Sequence, residues 1–229
     1  MTLESNISVS ESEYTIGGRK YPRMTRVLDV IAKPEFYRWY AKNGYSYCQN
    51  YMNDRAAFGT RCHSEFEHVL KGMDVWCDND EMEETVRAFD VYRRQHEIEP
   101  FVVEGQPALE VQLHNDELGV AGTCDFAGWC DGNRYILDWK TSKAVYDNYL
   151  LQVSGYLYMY EQKYDTVMDG AGVIAVHVYG EKDDLRAKIK TKFISREECM
   201  KHLEVFKAAV QIYNWKYNKG AWERTKTKS

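Results

Sequence analysis

Residues 102–142 constrain the fold of this chain most, because they have the pattern of β-strands and lie between stretches with helical spacing. β-branched and aromatic residues occur there in short runs. Turn signals at Asn115-Asp116 and Asp131-Gly132-Asn133 separate the runs. The pattern predicts three strands in a meander. A meander among helices favours an α/β fold.

Apolar residues recur at helical spacing on both sides of the meander. Before it, they predict two short helices that Pro34 separates and Gly44 ends, followed by helices over 54–71 and 81–96. The elements predicted after the meander are a helix over about 145–163, strands over 171–180 and 187–194, and a closing helix over about 197–217.

The length and composition indicate one domain with a sizeable core. The chain has 229 residues, and 44% of them are apolar, which is too many for a disordered chain. We expect residues 1–20, rich in Ser, Glu and Gly, to be a flexible tail or a loosely attached strand, and residues 21–229 to form the domain. There is no apolar stretch of about 20 residues and no signal-peptide pattern, so we expect no membrane contact and a cytoplasmic location.

The charge and the cysteines narrow the function classes. The 30 basic and 35 acidic side chains give a net charge of −5, which argues against a protein that coats DNA by bulk charge but allows an enzyme that grips DNA locally. The six cysteines never form a CxxC pair. We therefore expect reduced thiols, with neither a zinc site nor an iron–sulfur cluster.

Alternation along the predicted strand RYILDWKTS places Asp138 and Lys140 on one face. Taken alone, this pair is typical of a surface ion pair on a half-exposed strand. In the preceding strand, Asp125 shares a face with the small residues Ala121, Thr123 and Ala127.

Asp125 and Asp138 are expected side by side on paired strands. Two carboxylates that close repel each other unless a proton or a cation lies between them, which indicates a site for a hard divalent metal ion. Glu110 begins the first strand of the meander and is the favoured third acidic ligand. Glu104, which precedes Gly105, is the alternative, and a structural or solvated role stays open for either glutamate.

The order of these features resembles the PD-(D/E)XK nuclease superfamily, and its RecB-like exonuclease branch most closely. The elements that carry the resemblance are His63 in GTRCHSEFEHVLKG, the acidic Glu110, GTCD ending at Asp125, Asp138-Trp139-Lys140 followed by Thr141-Ser142, and QxxxY from Gln152 to Tyr156. The opening YPRMTRVLDVIAKPEFYRW is similar to that of phage and mitochondrial single-strand exonucleases of this branch. The resemblance covers roughly residues 21–160.

The resemblance implies a restriction-endonuclease-like core, with a central mixed β-sheet flanked by helices and an N-terminal helical region. It also implies one or two Mg²⁺ or Mn²⁺ ions. The implied ligands are His63, Glu110, Asp125, Asp138 and the main-chain carbonyl of Trp139. Lys140 would orient the attacking water or stabilise charge in the transition state. His63 would bind the metal or the substrate, whereas a packing or capping role is the alternative.

Four further residues are candidates for substrate contact or support. Thr141 and Ser142 follow the Asp138–Lys140 strand and could contact a phosphate, although an ordinary strand end with a turn explains them nearly as well. Gln152 and Tyr156 are i, i+4 neighbours on a helix, where such a stripe is more often core than site. The resemblance implies that they brace the lysine strand or touch the DNA backbone.

The implied function is that of a metal-dependent DNA exonuclease. It would hydrolyse phosphodiester bonds from the ends of single-stranded DNA in replication, recombination or repair, alone or with proteins of those processes. A phage origin fits the opening motif and would place the enzyme in the host cytoplasm. The alternatives are a structure-specific endonuclease of the same fold and a catalytically idle nucleic-acid-binding module. Retention of both aspartates and the lysine argues against the idle module.

Overall fold

The computed structural model of the protein describes residues 7–10, 12–181, 184–218 and 220. The first elements are three antiparallel strands, β1 (Ile7–Val9), β2 (Glu13–Ile16) and β3 (Arg19–Pro22). This part of the segment, expected to be a flexible tail or a loosely attached strand, therefore forms strands, whereas residues 1–6 and residue 11 lie outside the described residues. Gly17 and Gly18 form the two-residue turn between β2 and β3 with φ of 56° and 79°, a left-handed conformation that glycine adopts at low cost.

Four helices follow: α1 (Met24–Leu28), α2 (Pro34–Asn43), α3 (Tyr45–Lys71) and α4 (Asp80–Gln95). The break before Pro34 and the end of α2 at Gly44 confirm the two short helices. The third helix begins earlier than the predicted residue 54, because Gly44, with φ of 82°, turns the chain directly from α2 into α3. At the start of α4, the Asn79 side chain accepts a hydrogen bond from the backbone N–H of Met82.

The second half of the chain confirms the predicted meander and the elements after it. Its elements are β4 (Glu99–Pro100), β5 (Val102–Val103), β6 (Gln106–Pro107), β7 (Leu109–Asn115), β8 (Val120–Cys130), β9 (Asn133–Lys140), α5 (Asp147–Tyr164), β10 (Gly170–Tyr179), β11 (Arg186–Ser195) and α6 (Arg196–Tyr217). No helix in the described ranges combines the length and the apolar character that crossing a bilayer requires.

The main sheet is mixed and has six strands in the order β11-β10-β9-β8-β4, with β7 also paired to β8. Only β9 and β10 are parallel, and α5 provides the crossover that a parallel connection requires. The other pairs are antiparallel. The protein is thus a curled mixed sheet with helices packed on it.

Buried side chains form two large clusters on opposite faces of the sheet. Leu157 of α5 and Phe206 of α6 belong to the first cluster, together with Ile136 of β9. Phe89 of α4 belongs to the second, together with Leu137. Because neighbouring residues of β9 enter different clusters, α5 and α6 cover one face and α3 and α4 cover the other.

The ladder between β8 and β9 ends before the strands do. It runs from the Cys130–Asn133 pair to the Phe126–Leu137 pair. Beyond this point β8 pairs with β7, and β9 pairs with β10 up to Lys140. The two central strands therefore separate, and we call this separation the fork.

Side-chain alternation in β8 shifts by one residue next to the fork. Cys124 and Ala127 both belong to the cluster under α5, whereas Phe126 belongs to the opposite one. The prediction that Ala127 shares a face with Asp125 is therefore wrong, because it assumed strict alternation through residues 124–127. Such a shift is typical of an irregularity in the ladder.

Strand β11 forms one edge of the main sheet and pairs with β10. On its inner face, Ile189 and Phe193 pack against the cluster under α3 and α4. Lys188, Lys190 and Lys192 alternate with these residues and are exposed. The edge strand therefore carries a row of positive charge.

Candidate active site

The fork opens into a cleft of about 960 Å³. Its walls come from α3, β7, β8, the end of β9, α5 and the N-terminal strands. Nine residues that the sequence predicted as site residues line the cleft: His63, Glu110, Asp125, Asp138, Lys140, Thr141, Ser142, Gln152 and Tyr156. The structure thus brings all the predicted side chains to one cavity.

Three of these residues form a compact cluster at the fork. His63 of α3, Glu110 of β7 and Asp125 of β8 each offer one ligand atom, and these atoms lie within 4.8 Å of one another. The His63 Nδ1 atom is 3.4 Å from Asp125 Oδ2. An imidazole nitrogen and two carboxylates at this separation are a donor set that a divalent cation can bridge.

Glu110 reaches the cluster through an unusual backbone conformation. Its φ is 49°, which is uncommon for a residue with a Cβ atom, and the β7–β8 ladder passes from Leu109 to Val111 without it. The side chain is exposed in the cleft. Glu104, the alternative ligand, lies in the turn between β5 and β6 and is not among the residues lining the cleft.

Asp125 holds the two sides of the fork together. Its Oδ2 atom accepts a 2.8 Å hydrogen bond from the backbone N–H of Trp139 on β9. The N–H and C=O groups of one strand residue point toward the same neighbour, so the Trp139 carbonyl also faces the fork. This orientation agrees with the predicted role of that carbonyl as a ligand.

Asp138 and Lys140 form an ion pair on the other side of the fork. The Asp138 carboxylate is fully buried, and its Oδ2 atom contacts the Lys140 ammonium. Its Oδ1 atom accepts a 3.2 Å hydrogen bond from Gln152 Nε2, which also donates to the Tyr156 hydroxyl at 3.3 Å. Asp138 lies outside the three-residue cluster, but continuing the register from the Phe126–Leu137 pair places it opposite Asp125 on the neighbouring strand.

Burial raises the pKa of two of the carboxyl groups. Enclosure in the cleft, followed by the negative charge of Asp125, raises the pKa of Glu110 to about 7. Burial also raises the pKa of Asp138 to about 6, although the Lys140 ammonium opposes this shift. Both groups therefore hold a proton more readily than ordinary carboxyls when no cation is present.

The other charged groups of the cleft favour their ionised forms. Burial opposes ionisation of Asp125, but the adjacent His63 and Lys140 outweigh it and lower the pKa of that carboxyl. Burial likewise opposes the charged form of His63, yet Asp125 raises the pKa of the imidazole. Burial also opposes the charged form of Lys140, but the Asp138 carboxylate favours it, and the pKa of this lysine is raised. The lysine is therefore cationic at neutral pH.

The residues after β9 close the cleft against α3. A Cβ atom at Gly59 would lie 3.2 Å from Thr141 Oγ1, so the glycine allows the helix and the strand end to approach. The Ser142 hydroxyl donates to the Ala144 carbonyl at 2.8 Å, which is the turn contact expected from the simpler interpretation of this residue. The Lys140 ammonium lies 5.2 Å from the Tyr149 ring centroid.

Among the cleft residues that sequence reasoning missed are Tyr14 of β2 and Arg23, which directly follows β3. The Tyr14 hydroxyl and Thr123 Oγ1 are 2.8 Å apart, which joins β2 to β8. The signal was present in the sequence, since Gly17-Gly18 between alternating residues is typical of a β-hairpin. The polar composition of residues 1–20 outweighed it.

No family model matches the chain, and no curated protein matches it significantly. The chemistry of the cleft is therefore the basis for a functional proposal.

Proposed function

We propose that the protein is a metal-dependent nuclease with a PD-(D/E)XK-type, restriction-endonuclease-like core. It would act as an exonuclease on DNA, from the ends of single strands, in replication, recombination or repair. The fork carries the proposal, because it directs Glu110 and Asp125 from one side and Asp138 and Lys140 from the other into a single cleft.

The donor set fits a hard divalent cation such as Mg²⁺ or Mn²⁺. Carboxylate and carbonyl oxygens suit both ions, and a histidine nitrogen is a donor that Mn²⁺ accepts more readily. His63, Glu110 and Asp125 would hold the ion, with Asp138 and the Trp139 carbonyl completing the site. When bound, the cation would polarise the scissile phosphate and lower the pKa of a water molecule.

The remaining side chains prepare the cleft for a phosphodiester. Lys140 stays protonated beside Asp138 and supplies a positive charge for the transition state. Gln152 fixes one oxygen of Asp138, and Tyr156 fixes Gln152. Both supporting residues are buried, so the carboxylate cannot turn away from the cleft without losing a hydrogen bond.

Three exposed tyrosines at the start of α3, Tyr45, Tyr47 and Tyr51, favour a single-stranded substrate. The rings of Tyr40 and Tyr45 are stacked with centroids 5.8 Å apart, and those of Tyr47 and Tyr51 are stacked at 6.4 Å. Three of these belong to α3, the helix that carries His63. Aromatic rings stack on unpaired bases without regard to sequence.

A cleavage assay with Lys140→Ala tests the proposal. The protein would be incubated with Mg²⁺, Mn²⁺ or EDTA. The four substrates are linear single strands labelled at the 5′ end, linear single strands labelled at the 3′ end, linear duplex, and circular single strands. We expect metal-dependent loss of linear single strands and a decrease of at least about 100-fold in Lys140→Ala, because the charge that stabilises the transition state is gone. Lys143→Ala removes an exposed lysine three residues away and serves as the matched control.

The substrates distinguish the proposed exonuclease from the alternative functions. Cleavage of circular strands would replace the exonuclease with an endonuclease of the same fold. Tight binding without cleavage in any metal would favour the nucleic-acid-binding module. Equal activity of Lys140→Ala and Lys143→Ala would overturn the roles given to the fork residues.

A further inference from the structure

Arg23 lines the same cleft as the carboxylates and is held next to a different part of β8. It follows β3 and forms a β-bridge with Ala121 of β8. Asp125 is four residues further along β8, which corresponds to about 13 Å of extended strand. The backbone of Arg23 therefore meets β8 four residues away from Asp125, and both residues line the cleft.

Among the described residues, no carboxylate pairs with Arg23. Its guanidinium carbon lies 5.3 Å from the Tyr14 ring centroid, and its Nε atom is buried without a hydrogen-bond acceptor within the described ranges. No described carboxylate is within ion-pair distance of it. Arg55, the other arginine of the cleft wall, differs in this respect because it pairs with Glu81 at 2.8 Å.

An unpaired guanidinium in a partly buried position costs free energy, because lost hydration is not replaced. A phosphate oxygen would supply the missing acceptor, and the planar donor arrangement of arginine matches phosphate geometry. The acidic groups of the cleft repel an unscreened phosphate, but none of the described carboxylates forms an ion pair with Arg23.

We propose that Arg23 binds a backbone phosphate of the substrate strand, at a linkage other than the one that is cleaved. This inference rests on the proposed nuclease function and adds to it an anion subsite for phosphodiesters. The subsite fixes the strand at a second point, so that the scissile linkage is positioned at the fork.

A binding assay tests Arg23 independently of cleavage. The affinity of the Lys140→Ala protein for a fluorescent single-stranded oligonucleotide would be measured in Mg²⁺ by anisotropy, with and without Arg23→Met. We expect Arg23→Met to weaken binding about tenfold and to reduce the salt dependence by about one phosphate contact. Arg26→Met is the matched control, because Arg26 is exposed and is 3.9 Å from Asp29.

Uncharged backbone linkages in the oligonucleotide identify which phosphate Arg23 contacts. Methylphosphonates placed one at a time along the oligonucleotide should weaken parent binding strongly at one position, and Arg23→Met should abolish that position's effect. Arg23→Lys should restore part of the affinity. The free energy of unfolding of the Arg23→Met variant should be at least as high as that of the parent Lys140→Ala protein, because an unpaired charge is replaced by an apolar side chain.

Two results separate this inference from the proposed function. If the wild-type protein cleaves DNA and Arg23→Met binds as tightly as Arg26→Met, the phosphate subsite is wrong and the nuclease assignment stands. The subsite would also be wrong if the losses of binding free energy caused by Arg23→Met and by a methylphosphonate were additive at every position of the oligonucleotide. If the wild-type protein neither binds nor cleaves DNA, both proposals fail together.

Discussion

At the level of a single residue, the position of the Glu110 carboxylate requires a backbone conformation that is unfavourable for a residue with a Cβ atom. Its left-handed backbone places the carboxylate beside Asp125 and His63, yet a residue with a Cβ atom pays for that conformation. Strand pattern could predict Glu110 as an acidic residue on β7. It could not predict φ of 49°, because the conformation depends on the partner strand rather than on neighbours in the sequence.

Substitution of Glu110 should separate stability from function. Without divalent cations, Glu110→Gly should have a free energy of unfolding about 1 kcal/mol higher than that of Glu110→Ala, because only glycine adopts this φ at low cost. Urea denaturation measures the difference. Both variants lose the carboxylate and should lose metal-dependent cleavage. Equal stabilities would show that position 110 carries no backbone strain.

At the level of elements, the site depends on where a ladder ends. The strands themselves and their turns were predictable, since alternation and turn residues are local signals. The fork was not, because β8 and β9 remain strand-like in sequence beyond the point where they separate. Asp125 and Asp138 therefore lie on the two arms of the fork, one residue beyond the last pair of the β8–β9 ladder.

Close packing of α5 on β8 supports one arm of the fork. A Cβ atom at Gly122 would lie 2.7 Å from a ring carbon of Tyr156, which is buried and contacts Gln152. We expect Gly122→Ala to lower the free energy of unfolding by about 1–3 kcal/mol and to reduce cleavage. Denaturant unfolding measures the first effect.

A double variant identifies the cause. In a Tyr156→Leu background, which removes the ring, Gly122→Ala should add little further destabilisation. A full additional loss would mean that the glycine is required for another reason, such as the backbone of β8.

For the whole molecule, helices pack on both faces of the sheet, and the N-terminal strands contact β8 at Ala121 and Thr123. Helical spacing predicted α5 and α6 and their apolar faces well, because burial on a sheet imposes that period. For the N-terminal segment the sequence left a flexible tail or a loosely attached strand open, since these strands are stabilised by contact with Ala121 and Thr123 and not by their own composition. Long-range contacts of this kind leave little trace in one sequence.

The raised pKa values link stability to pH. In the unfolded chain, Asp138 and Glu110 ionise near their ordinary values of 3.8 and 4.5, whereas in the folded protein they do so at about 6 and about 7. A raised folded-state pKa stabilises the protein below the unfolded value, and this contribution is lost as pH rises through the folded value. Without divalent cations, the Tm should therefore fall between about pH 4 and pH 7.

Divalent cations should reverse this trend. Binding requires ionised carboxylates, so the increase in Tm caused by Mg²⁺ or Mn²⁺ should grow over the same pH range. Scanning fluorimetry with and without cation measures it, and Glu110→Gln with Asp138→Asn should flatten both curves. A cation effect that is independent of pH would contradict the placement of the metal at these carboxylates.

The row of lysines on β11 affects how copies of the protein meet. An edge strand with free backbone groups is a template for pairing with the edge of another molecule. Two such edges would bring Lys188, Lys190 and Lys192 of each copy into proximity, and their mutual repulsion opposes that contact. The edge is thereby protected against sheet-to-sheet aggregation, which helps to keep the molecules separate in concentrated solution.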